Sequence, residues 1–229
     1  MKNFEEVEKK IGESYKNKDL LIQAFCHKSY LNENPDFYLE NNERLEFLGD
    51  AVLEMIITEY LYKNFLEKDE GVMTKLRASL INTKTLAEVA KQLEFQNFIL
   101  LSKGETRTVD HFKQSMLADL FEAVVGSLFL DRGYSACKRF IKNNLINKLD
   151  EIIKNELYKD FKSQLQETIQ AKEGITPNYK VIRSWGPDHL RNFIVGVYLN
   201  EKLIAEGEGK SKQEAEIDAA QQALKTYGL

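Results

Sequence analysis

The 229-residue chain holds 32 basic and 36 acidic side chains, a formal net charge of −4, and is 43% hydrophobic and 30% charged. Such a balance suits one or two globular domains with real cores, and no run approaches the roughly 18 consecutive apolar residues of a membrane span. The charged start MKNFEEVEKK is unlike a secretory signal, so a cytoplasmic location is expected, while the net negative charge weighs at first sight against a nucleic-acid partner.

In chain order, residues 1–159 contain one proline, Pro35, and show apolar residues at helical spacing over 44–64, 72–95 and 115–131. Leu, Ala, Glu and Lys fill the gaps and no strand pattern competes, so residues 1–152 are expected to form an all-α domain. A short mixed-charge linker is placed at 153–159, and residues 160–229 read differently. An amphipathic stretch at 160–172 precedes β-rich runs at Tyr179–Trp185, Arg191–Tyr198 and Lys202–Glu206, and a last helix is expected over about 211–226. The order is α-β-β-β-α, a small α+β domain. Asn200-Glu201 suits a hairpin turn, Gly207 and Gly209 are expected to stop the third strand, and Ser211 to cap the last helix. Cys26 and Cys137 lack a CxxC partner and His27, His111 and His189 are scattered, which argues against a disulfide framework or zinc.

Several acids stand where apolar residues dominate. The segment from Glu43 to Ile57 is apolar nearly all round, as expected of a buried helix, yet at about 100° per residue Glu43, Glu46 and Asp50 fall within an arc of roughly 60°. Asp119 and Glu122 share a face of a second greasy helix, and Glu70, in Asp-Glu-Gly, is a sixth candidate. For any one pair a solvated stripe would suffice. For the set, Arg44 is the only basic neighbour in sequence, and ionised carboxylates packed out of water cost several kcal/mol each. A hard divalent ion, Mg²⁺ or Mn²⁺, is the cation that all-oxygen ligands favour, and it points to phosphate chemistry.

Glu43-Arg-Leu-Glu-Phe-Leu-Gly-Asp-Ala-Val-Leu53 resembles the signature of the bacterial ribonuclease III family, and His27-Lys-Ser29, Asp69–Ser79 and Leu117–Ala123 follow the family's order. The resemblance implies a Mg²⁺-dependent homodimeric endonuclease that cuts double-stranded RNA to 5′-phosphate and 3′-hydroxyl ends, as in ribosomal RNA precursors and some messages. It makes Asp50 and Glu122 the catalytic acids, Glu46, Asp50, Asp119 and Glu122 the metal-site set, and Glu43 and Glu70 second-tier acids. It makes Phe47 an aromatic knob for the partner subunit, an ordinary core phenylalanine being the alternative. Lys75, Arg77, Asn82 and Lys113 are candidate RNA contacts. The family's Gly-Gly-basic stretch is absent from Thr106–Lys113. His27 and Lys28 invite an acid–base reading, but a lone histidine beside Leu20, Leu21 and Phe25 is more often structural, and no catalytic role is given to it. Neither a membrane nor a small organic cofactor is implied.

Residues 160–229 resemble a double-stranded RNA-binding domain. Ser163, Gln166, Glu167 and Gln170 lie on one face of its first helix, suited to 2′-hydroxyls of a minor groove. His189 is assigned to the next groove, and Lys210 and Lys212 to a phosphate at the N-terminus of the last helix. The charge objection then weakens: setting the six acids aside turns residues 1–159 from net negative to net positive. A non-catalytic RNA-binding or assembly protein on the same fold is the competing reading, and the intact acids weigh against it.

Overall fold

The computed structural model describes residues 2–106, 113–156, 158–187 and 190–226. They fall into two compact units, Met1–Tyr158 and Lys159–Leu229. The first is helical: α1 (Phe4–Ile11), α2 (Lys18–Ala24), α3 (Lys28–Glu33), α4 (Glu43–Asn64), α5 (Glu70–Leu80), α6 (Thr83–Gln92), α7 (Lys103–Thr106), α8 (Gln114–Arg132), α9 (Tyr134–Asn144) and α10 (Leu149–Lys154). Short polar side chains start many of them. Asn3, Asn17, Asp69 and Asn82 each accept from a first-turn N–H, satisfying donors that have no intrahelical partner.

One cap corrects an expectation. The stretch 72–95 is not one helix, because Asn82 accepts from Thr85 N–H at 2.9 Å and its amide donates to Ser79 C=O at 2.8 Å, ending α5 and starting α6. Apolar periodicity runs through the break because both helices bury the same side, at Leu76, Leu80, Leu86 and Val89. The last helix, α10, also reaches Lys154, into the segment read as linker.

The centre of the unit is α8, buried from Leu117 to Leu128 at nearly every position, with α4, α6, α2 and α9 against it. Closest is α4. A Cβ on Gly49 would stand 1.8 Å from Glu122 O, and one on Gly126 2.1 Å from Leu45 O, so only glycine lets these two backbones touch. The expectation that α4 is buried all round is corrected too. Leu45, Val52, Leu53, Ile56, Ile57 and Leu61 face the core, but Phe47, Met55 and Tyr62 are exposed on the opposite side.

The second unit holds α11 (Phe161–Glu173), β1 (Asn178–Trp185), β2 (Asn192–Leu199), β3 (Lys202–Gly209) and α12 (Lys212–Thr226). Its antiparallel sheet has the order β1-β2-β3, and Leu199 pairs with Lys202 across the Asn200-Glu201 turn, Asn200 taking φ 55°. Inward-facing Val197 and Leu199 meet Phe161, Leu165 and Ile169 of α11 and Ala219, Ala220 and Ala223 of α12. The third strand does not stop at Gly207 but runs through Gly209. There the missing side chains serve packing: a Cβ on Gly207 would lie 2.0 Å from Ala219 N, so α12 can rest on the strand. Ser211 accepts from Glu214 N–H at 3.1 Å and caps α12.

Candidate metal centre and nucleic-acid interface

The touching backbones of α4 and α8 bring their acids together. Carboxylate oxygens of Glu46, Asp119 and Glu122 lie within 4.8 Å of one another. All three residues are half-buried, so the expectation of carboxylates sealed in an apolar interior is corrected: they keep part of their hydration, which lessens the cost of gathering like charges. The field is still strong. Burial first, then the charges of Asp50, Glu46 and Asp119, push the Glu122 carboxyl up to about 8. Glu46 is raised by burial and by Asp119 and Glu43, with Lys28 opposing. Burial raises Asp119 as well, with His27 and Lys28 pulling the other way. Three oxygen donors at this spacing, one holding its proton for want of a counter-charge, fit a hard divalent cation.

The remaining acids are placed differently. Asp50 is exposed and outside the group of three, although its charge reaches both Glu122 and Glu46. Glu43 lies outside the group of three as well, although its charge reaches Glu46. It accepts from Lys28 Nζ at 3.0 Å, which holds its carboxyl below the usual carboxylate range. Glu70, at the start of α5, accepts from Thr74 Oγ1 at 3.2 Å and lines a depression with Tyr62 and Arg77. Arg44 is therefore not the basic residue that matters here; it pairs with Glu40 at 3.2 Å, while Lys28 arrives from another helix. Sequence reasoning weighed Lys28 with His27 only for acid–base work and not as a cation beside the acids, because only the tertiary fold sets α3 beside α4.

Other expected residues divide between structure and surface. His27 is the N-cap of α3, accepting from Ser29 N–H at 3.3 Å. Arg77 is held by Thr58 at 2.9 Å and Glu54 at 3.2 Å, and Asn82 is a cap, whereas Lys75 and Lys113 are exposed. Phe47 is 83% exposed and is no core residue. Cys26 and Cys137 are free and buried.

On the second unit, Phe161, Leu165 and Ile169 bury one face of α11 and leave Ser163, Gln166, Glu167 and Gln170 exposed on another. The Ser163 hydroxyl donates to Asp160, the N-cap of α11, at 2.7 Å. Lys210 and Lys212 are exposed at the start of α12, where unpaired N–H groups favour an anion. His189 lies outside the described residues, as does 107–112 of the segment lacking the Gly-Gly-basic pattern. No described helix is long and apolar enough to cross a membrane.

Comparison with known proteins matches residues 17–149 to a family described as Ribonuclease-III-like and residues 161–227 to the double-stranded RNA binding motif. A relative named Ribonuclease 3 from Enterococcus faecalis is 46% identical over 96% of this chain and 96% of its own length. Another of that name, from Geobacillus thermodenitrificans, is 44% identical over 97% of this chain and 90% of its own. Among solved structures, the nuclease domain of ribonuclease III from Campylobacter jejuni is 40% identical with a TM-score of 0.56, covering 62% of this chain and 98% of that one. That structure is described by flexibility in a region involved in dimer formation.

Proposed function

The chain belongs to the ribonuclease III family and is an endoribonuclease of double-stranded RNA, and from that premise we propose that Glu46, Asp119 and Glu122, with Asp50 at their edge, are its catalytic centre. The observation carrying this reading is the meeting of three carboxylates from two helices within 4.8 Å, where Glu122 is pushed up to about 8. Mg²⁺ suits these donors, Mn²⁺ being able to substitute, and Glu46, Asp119 and Glu122 would hold it. A divalent ion bound there supplies charge neutralisation at a phosphodiester and a lowered pKa for the attacking water. The chain's own part is to fix the carboxylates, to release the Glu122 proton as the ion enters, and to orient the water through Asp50. Hydrolysis leaves 5′-phosphate and 3′-hydroxyl ends.

The same reading gives α11 and the start of α12 the task of holding the duplex. Gln166, Glu167 and Gln170, with Ser163, face 2′-hydroxyls, and Lys210 and Lys212 a phosphate. It also makes the protein a homodimer. Exposed Phe47, Met55 and Tyr62 recur along one face of α4, next to a depression of about 170 Å³ between α4 and α5 that offers a receptor for the partner's ring. Ribosomal RNA precursors and some messages, in the cytoplasm, are the proposed substrates.

The test is cleavage of a perfect RNA duplex in Mg²⁺ by Asp119→Asn combined with Glu122→Gln. Loss of rate on the order of a hundredfold or more, with duplex binding retained, is expected; a rate equal to the parent's rejects the site.

A further inference from the structure

The start of α4 is tied to the junction of α2 and α3. Asn42 N–H donates to Cys26 C=O at 2.9 Å, and the buried Asn42 amide donates to Ala24 C=O at 3.3 Å. Behind that junction, His27 N–H donates to Leu100 C=O at 3.1 Å and Leu100 N–H to Phe25 C=O at 2.7 Å. Main-chain bonds and a buried amide thus set Lys28, the first residue of α3, opposite Glu43, the first residue of α4. A surface ion pair normally has no such foundation.

The ammonium so placed is available. Lys28 is 64% exposed, its partner Glu43 is 52% exposed, and the two meet at 3.0 Å. Exposed pairs of this kind exchange readily with solvent and with other ions. Its charge also reaches Glu46 and Asp119, two of the three clustered acids. A backbone phosphate approaching that cluster meets acids of its own sign in Glu46, Asp119 and Asp50. A cation at the rim offsets the repulsion, and a phosphate is a doubly charge-assisted partner for an ammonium that Glu43 holds only weakly.

We propose that Lys28 contacts the substrate directly, leaving Glu43 to bind a backbone phosphate of the duplex beside the bond being cut, and that Glu43 keeps the ammonium in position until RNA arrives. The proposal rests on the catalytic centre assigned above and adds to it a substrate contact outside the acids.

Duplex binding by the full-length chain is measured across a salt series in a Glu122→Gln background, and cleavage in the otherwise unaltered chain. Lys28→Ala is expected to lower the slope of log affinity against log salt by about 1, the loss of one phosphate contact, and to cut kcat/KM roughly tenfold. Lys28→Arg, which keeps the charge, restores both. Glu43→Gln removes the carboxylate but not the ammonium, and keeps the parent's slope. An unchanged slope in Lys28→Ala, or the same losses in Glu43→Gln, overturns the proposal, since Lys28 would then act only through Glu43. The centre itself is judged separately: if Asp119→Asn with Glu122→Gln cleaves as the parent does, that assignment fails whatever the slopes show.

Discussion

A carboxyl that keeps its proton to about pH 8 makes the metal-free domain sensitive to pH in an unusual direction. The pKa of Glu122 is raised from 4.5 to about 8, so the folded chain holds a proton that the unfolded chain has already lost. Its contribution to stability is complete below about 4.5 and disappears as pH rises through about 8. Without divalent ions, the parent's melting temperature should therefore fall more steeply between about pH 6 and pH 8 than that of Glu122→Gln, and identical profiles would count against this account. The acids themselves were legible in the sequence, because Asp119 and Glu122 share one helix turn and Glu46 stands on a greasy helix. Lys28 was not, since its effect depends on hydrogen bonds from Asn42 to Cys26 and Ala24 that no local pattern encodes.

Among the elements, the α4–α8 crossing governs both stability and site geometry. Gly49→Ala would set a methyl group 1.8 Å from Glu122 O, forcing the helices apart. Overpacking of this kind should cost about 2 kcal/mol or more despite the roughly 1 kcal/mol that alanine otherwise gains over glycine within a helix. Urea unfolding should show that loss together with weaker Mg²⁺ binding by calorimetry. Gly71→Ala is the control, since its added methyl would meet only Asp69 Oδ1, at 3.4 Å, and its stability should be equal or higher. Helix content was readable from apolar spacing, and the α-β-β-β-α order from alternating strands and the Asn200-Glu201 turn. The break at Asn82 was hidden because capping asparagines also occur inside helical runs. The reach of β3 through Gly207 was hidden because that glycine makes room for α12 instead of ending the strand.

For the molecule as a whole, the exposed face of α4 is the feature a lone chain explains least. Phe47, Met55 and Tyr62 are 83%, 51% and 69% exposed, and large side chains of this type belong in an interface. In a two-fold dimer two Phe47 rings are buried, one from each subunit, at about 1.5–3 kcal/mol apiece. Phe47→Asp should therefore weaken self-association on the order of a hundredfold or more, read as a shift to monomer by sedimentation, with helical content kept. A monomeric parent at the same concentration would remove the dimer from the proposal. Apolar periodicity could not show this face, because an all-apolar helix looks the same whether its second side meets the chain's own core or another molecule; only the family resemblance pointed to Phe47.

The glycine contact between α4 and α8 has one more effect. Rods joined backbone to backbone cannot drift apart, so repulsion among Glu46, Asp119 and Glu122 finds no mechanical relief and is answered by hydrogen ions. On the metal-site reading proposed above, filling the centre near neutrality would be an exchange reaction: one hard cation would enter, and acid would be shed into the medium.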